Sequence, residues 1–109
     1  MAYDTVLGER IKGMLANEGG YVEKHMFGGV AFMVNGNMAC GVHKDRLIAR
    51  IPTEDYSTSL SMPFVDVFDI SGRPMAGWIT VKPEGVASNE ALRAWIQKAV
   101  AFARSLPSK

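Results

Sequence analysis

Residues 25–51 read HMFGGVAFMVNGNMACGVHKDRLIARI, and the reading of this stretch decides the fold. Asn35-Gly36 stands between VAFMV and NMACGV, and Asn-Gly between apolar runs is the strongest short-range hairpin signal, because a type I′ turn needs positive φ at both central positions. Lys44-Asp45 suggests a second tight turn into RLIARI. Together they predict a three-stranded antiparallel meander. Gly28-Gly29 precedes a strand, whereas phosphate-binding glycine loops follow a strand and open a helix. The pair is therefore read as a bulge or bend at the strand's start, not as a nucleotide site.

Working outward, residues 4–18 predict a helix. Asp4 or Thr5 can cap it. Tyr3, Val6, Leu7, Ile11, Met14 and Leu15 form its stripe, and Gly19-Gly20 stops it. Thr53 can cap a short helix over 54–61 that Pro63 ends. VDVFDI, 65–70, reads as a fourth strand, SGRPMAG as a loop and WITV, 78–81, as a fifth strand. Ser88 caps a last helix whose Leu92, Trp95, Ile96, Ala99, Phe102, Ala103 and Leu106 make an amphipathic stripe, closed by Pro107. The order α-β-β-β-α-β-β-α predicts one α+β domain over 1–109: two layers, with helices on one face of a five-stranded, mainly antiparallel sheet.

With two-residue turns throughout, Ala31, Met33, Met38, Cys40, Val42, Leu47, Ala49 and Ile51 share an apolar face that belongs under the helices. Val30, Phe32, Val34, Asn37, Ala39, Gly41, His43, Arg46, Ile48 and Arg50 share the other. That second face is too apolar for open water. It suggests a contact surface built from Val30, Phe32, Val34 and Ile48, rimmed by Arg46 and Arg50. The alternative is that Phe32 and Ile48 pack under the arginine stems or against the last helix. A one-residue slip would exchange faces.

Totals narrow the chemistry. The chain has 109 residues, 48% hydrophobic and 21% charged, with a formal net charge of +1. That fits one core-forming domain and lacks the basic excess of an autonomous nucleic-acid binder. The single cysteine, Cys40, excludes an intrachain disulfide and fits a reducing cytoplasm. No signal region and no membrane-length apolar run is legible. Cys40 and His43 lie three apart in a strand and point to opposite faces, so they form neither a metal site nor a nucleophile pair. Asp66 and Asp69 fail as a carboxylate pair on the same ground. Glu54-Asp55 reads as a helix-start charge pair, and His25 as a strand-edge polar residue. Trp78 and Trp95 read as core anchors, or, in the alternative, as the walls of a pocket between sheet and last helix in a small-molecule-binding domain or an enzyme. No cofactor, metal or catalytic residue is expected.

Met26-Phe27-Gly28-Gly29-Val30, Val34-Asn35-Gly36-Asn37-Met38 and Asp45-Arg46-Leu47 with Arg50 resemble the N-terminal domain of the TfoX/Sxy family of bacterial competence regulators. Gly72-Arg73-Pro74-Met75, Gly77-Trp78 and the closing helix around Ala91, Leu92, Trp95 and Ala103 add to the likeness. The resemblance implies a secretion-chaperone-like α+β domain, often able to dimerise. It implies a part in transcriptional control of DNA uptake, as a coactivator with a cyclic-AMP receptor protein. Full-length members carry a second, C-terminal domain; a stand-alone domain without it is expected here. The expectation is thus a cytoplasmic, non-enzymatic module that dimerises or docks a protein partner such as a transcription factor, with no direct contact to nucleic acid or membrane.

Overall fold

The computed structural model describes residues 3–26, 28–68 and 76–107. Helix α1 (Thr5–Leu15) opens the chain, and Asp4, not Thr5, caps it: its Oδ1 accepts from the N–H groups of Val6 at 3.0 Å and Leu7 at 3.1 Å. Leu7, Ile11 and Leu15 are buried, whereas Val6 faces water. A 3₁₀ turn, Ala16–Glu18, ends at a left-handed Gly19.

Six strands follow among the described residues, one more than the sequence predicts. They are β1 (Val22–Met26), β2 (Gly29–Val34), β3 (Asn37–His43), β4 (Arg46–Arg50), β5 (Val65–Val67) and β6 (Trp78–Val81). All neighbours are antiparallel, in the spatial order β1-β2-β3-β4-β6-β5. The additional strand is β1, an edge strand with little apolar alternation that pairs with β2. Gly28-Gly29 belongs to the reversal between the two, with Gly29 paired to Met26. Of the bulge or bend expected there, the structure shows the bend, with Gly28 at φ 72° in the reversal.

Between β4 and β5 a 3₁₀ turn (Thr53–Asp55) leads into α2 (Tyr56–Leu60). Thr53 is the turn's first residue and supplies no side-chain cap. The fourth predicted strand is realised only as β5; Asp69 and Ile70, like Phe27 and Ser71–Met75, lie outside the described residues. Helix α3 (Asn89–Ser105) closes the fold, with the Ser88 hydroxyl accepting from the Ala91 N–H at 3.1 Å.

The Asn35-Gly36 turn has the expected positive φ at both positions, 58° and 81°. Above it the register departs from the simple hairpin. Val34 faces Asn37 and Met33 faces Met38, but Phe32 then faces Cys40, Ala31 faces Gly41 and Val30 faces Val42. Ala39 is the extra residue of a β-bulge. A one-residue slip turns every later side chain of one strand to the other face. Phe32 therefore joins Cys40, Ala49 and Ile79 in one row, and Val30 joins Val42, Leu47 and Val81 in the next. These rows, with Val34, meet α1 and α3 in a single core.

The predicted faces are corrected accordingly. Val30, Phe32 and Val34 are core residues, not a docking surface. Ala31, Met33 and Met38, expected in the core, lie outside that cluster. Gly41 lets the bulged pair close up, since a Cβ there would overlap the carbonyl oxygen of Val30. Phe32, fully buried and edge-on to Tyr21 at 5.7 Å, is the largest side chain so placed.

Asn37 ties the hairpin to α3. Its buried Nδ2 donates to the Pro107 carbonyl at 3.0 Å and to the carbonyls of Ala103 and Asn35 at 3.4 Å. Removing a buried donor leaves its acceptors unpaired, at roughly 1–3 kcal/mol. Asn37→Ala should lower the urea-unfolding free energy by about that amount, with amide exchange accelerating first in the last turn of α3. Unchanged protection there would show that the clasp is not holding the helix.

Candidate functional site

The predicted contact surface does not survive the register. Of its six residues, Val30, Phe32 and Val34 are in the core, and Ile48 is fully buried on the opposite row beside Gly41 and Thr80. Arg46 and Arg50 do share that face, and both are occupied. The Arg46 Nη1 donates to Asp66 at 3.1 Å, with Lys82 a further 3.9 Å partner of the same carboxylate. The Arg50 guanidinium lies 5.3 Å from the Trp78 ring centre and 5.6 Å from that of Phe102, within cation–π reach of both. Phe68 completes the cluster, 6.1 Å from Trp78 and edge-on to His43. Arginine and aromatic side chains thus gather on this face.

Cys40 and His43 fall on opposite faces, as their spacing requires. Burial raises the Cys40 thiol from its ordinary pKa of 9.0 to about 12, which keeps it protonated and unreactive. Burial, with a smaller contribution from Lys44, lowers the pKa of His43. His25 lies on β1 against Glu23, at 2.9 Å. Among the described residues no three metal-ligating side chains converge.

An apolar opening lies elsewhere, along the flank of α3. Three short pieces build it: Met62-Pro63-Phe64 between α2 and β5, Glu84-Gly85 in the 3₁₀ turn Pro83–Val86, and Ala91, Ala94, Trp95 and Lys98 on α3. The groove encloses about 460 Å³, in the size range of small-molecule sites. Trp95, 8% exposed, forms its floor, while Met62 and Phe64 stand 46% exposed at its lip. Trp78 takes no part in lining this groove.

Phe64 has a left-handed backbone, φ 68°, an unfavourable state for a bulky residue. The fold imposes it: the Lys82 N–H donates to the Phe64 carbonyl at 2.8 Å, fastening the residue to the end of β6. Gly85 makes room beneath, since a Cβ there would stand 2.6 Å from Val81 Cγ1 and 3.1 Å from Phe64 Cβ. Two charges border the groove. Lys98 is 3.6 Å from Asp55, both side chains being partly exposed, and Glu84 sits at the α3 start. The lining is mainly apolar, with Glu84 and Lys98 as its charged members.

Sequence reasoning missed this groove. Pro63 registers only as a helix stop, and Ala91 and Ala94 lie just off the core stripe. The available signal was Met-Pro-Phe, two bulky apolar residues in a connection that an ordinary polar loop would have filled.

A small α+β domain, with helices packed on an open antiparallel sheet and an apolar groove beside the last helix, is the class these features define. The family model of the TfoX N-terminal domain matches residues 13–103. The chain belongs to the TfoX N-terminal domain family. No curated protein and no solved structure gives a significant match.

Two outcomes are expected. Phe64→Asn, which suits the left-handed backbone, should keep stability within about 1 kcal/mol of wild type or raise it, although it removes an aromatic ring; a larger loss on chemical denaturation would make Phe64 a core residue. Above pH 9 the unfolded chain releases the Cys40 proton while the fold retains it, so stability is full below pH 9 and declines towards pH 12. The slope is at most about 1.4 kcal/mol per pH unit from this group. Cys40→Ala should show a correspondingly flatter alkaline decline in urea titrations at stepped pH.

Proposed function

We propose that this domain is a non-enzymatic, regulator-like module that acts in the cytoplasm by protein contact, in the manner its competence-regulator family suggests. The observation that carries the reading is the groove beside Trp95, where two large apolar side chains stay half in water although a stable monomer gains by burying them. Its lining supports anchoring of an apolar group, and aromatic anchors in recessed pockets dominate protein contacts. A net charge of +1 speaks against direct nucleic-acid binding, which draws on an excess of lysine and arginine. Among the described residues no helix is long and apolar enough to cross a membrane.

A second reading is a small-molecule module, favoured by the groove's volume alone. A tagged pull-down from native lysate with nuclease, read by mass spectrometry, separates the two. Retention of a transcription factor or polymerase subunit by wild type, and its loss with Phe64→Glu, is the expected result. If recovered proteins are indifferent to Phe64, and metabolites in a thermal-shift screen raise the melting point of wild type but not of the variant, the small-molecule reading replaces it.

A further inference from the structure

We propose that the Trp95 groove receives an amphipathic α-helix of another protein, laid antiparallel to α3, with an acidic residue near its N-terminal end and a basic residue near its C-terminal end. The inference rests on the reading of the groove as a protein-contact surface, and adds the occupant.

The walls decide between a helix and an extended segment. An extended segment docks by pairing its backbone with a free row of N–H and C=O groups. Here those groups are already engaged. The Phe64 carbonyl accepts from the Lys82 N–H at 2.8 Å, the Met62 carbonyl from the Val65 N–H at 3.4 Å, and the Lys82 carbonyl from the Gly85 N–H at 2.8 Å. The facing wall is α3, whose backbone bonds within the helix. The groove therefore offers side chains. Ala91, Ala94, Trp95 and Lys98 stand at i, i+3, i+4 and i+7, one stripe of α3 about 10 Å long. A helix laid along such a stripe reads it with anchors at the same spacing. Ala91 and Ala94 are small, which permits the 8–10 Å approach typical of packed helices. Met62 and Phe64 then close on the occupant from the other side.

Charge sets the direction. Glu84 lies in the turn before α3, and Lys98 lies nine residues beyond Asn89, which at 1.5 Å per residue is about 13 Å along the axis. The groove thus has an acid at one end and a base at the other, and its complement carries a base and an acid in the same order. Helices favour acidic residues in their first turn and basic residues in their last. The complementary helix therefore starts at Lys98 and ends at Glu84, which is antiparallel to α3. The Lys98–Asp55 contact, at 3.6 Å between partly exposed side chains, leaves the ammonium donors for a second carboxylate. The occupant's apolar anchors lie between its two charges.

The test is selection from a phage-displayed library of helix-forming peptides of about 16 residues, long enough for helix to form, with Phe64→Glu protein as the counter-selection. Fluorescence polarisation on labelled synthetic copies then gives affinities, and circular dichroism confirms that each variant folds. The selected peptides should share apolar residues at i, i+3 or i+4 and i+7, with an acid before them and a base after them. Phe64→Glu should weaken binding about a hundredfold, as loss of an aromatic anchor does. Ala94→Arg, which fills the groove from α3 and leaves the Phe64 backbone alone, should do the same. Lys98→Glu should weaken binding about threefold to fivefold, and a peptide with its acid replaced by lysine should recover that loss. Selected peptides without helical spacing, or with the two charges in the reverse order, would overturn the helix or its direction and leave the contact reading standing. A wild-type dimer on light scattering that Phe64→Glu dissociates would give the groove to a second copy and overturn the helix. If every selected peptide is indifferent to both Phe64 and Ala94, the helix and the contact reading fall together.

Discussion

The bulge at Ala39 is the constraint on which the rest of the structure depends. Without the extra residue, Phe32 would stand on the face opposite Cys40 and Val42, and the core would lose its largest wholly buried side chain. With it, two continuous rows of apolar side chains run across β2, β3, β4 and β6 beneath α1 and α3. Burying a side chain of that size is worth roughly 1.5–3 kcal/mol, far more than an idealised ladder would recover. The bulge also increases local twist, and the missing Cβ of Gly41 lets the paired backbones come together.

That constraint orders the second face. With Phe32 and Val30 withdrawn from it, what remains is Ile48 and Thr80 beneath Arg46, Arg50, Trp78 and the neighbouring Phe68. Long arginine stems and aromatic rings can cover apolar sheet while keeping charge in water. A surface that a straight register would leave bare is covered within the same chain. Apolar side chains left half in water remain at Met62 and Phe64, where the α2–β5 connection runs past the flank of α3.

How much could be read beforehand follows from the range of the signals. Asn35-Gly36, the Asp4 and Ser88 caps and the stripe of α3 are local patterns, and each appears where its residues place it. Strand β1 was not legible, because Val-Glu-Lys-His-Met alternates nothing strongly and is an edge paired on one side only. The bulge was not legible either: alternation in VAFMV and NMACGV fits both registers, and tertiary packing of Phe32 decides between them. The groove needs three segments distant in sequence and a positive φ at Phe64, a residue type that ordinarily avoids it. Family likeness carried further than pattern for the class of the protein, while the contact surface had to come from the fold.

The Asn37 clasp has a kinetic side. It joins the tip of an early-forming local hairpin to carbonyls 66 and 70 residues later in the chain. Closing so long a loop costs entropy before any bond repays it, so the clasp belongs to the last stage of folding, after sheet and helix have met. A contact absent from the transition state leaves the folding rate nearly untouched and governs the rate of unfolding instead. The side-chain amide of one asparagine thus acts as a latch on the lifetime of the folded chain, holding the end of α3 against the hairpin long after the bulk of the core has formed.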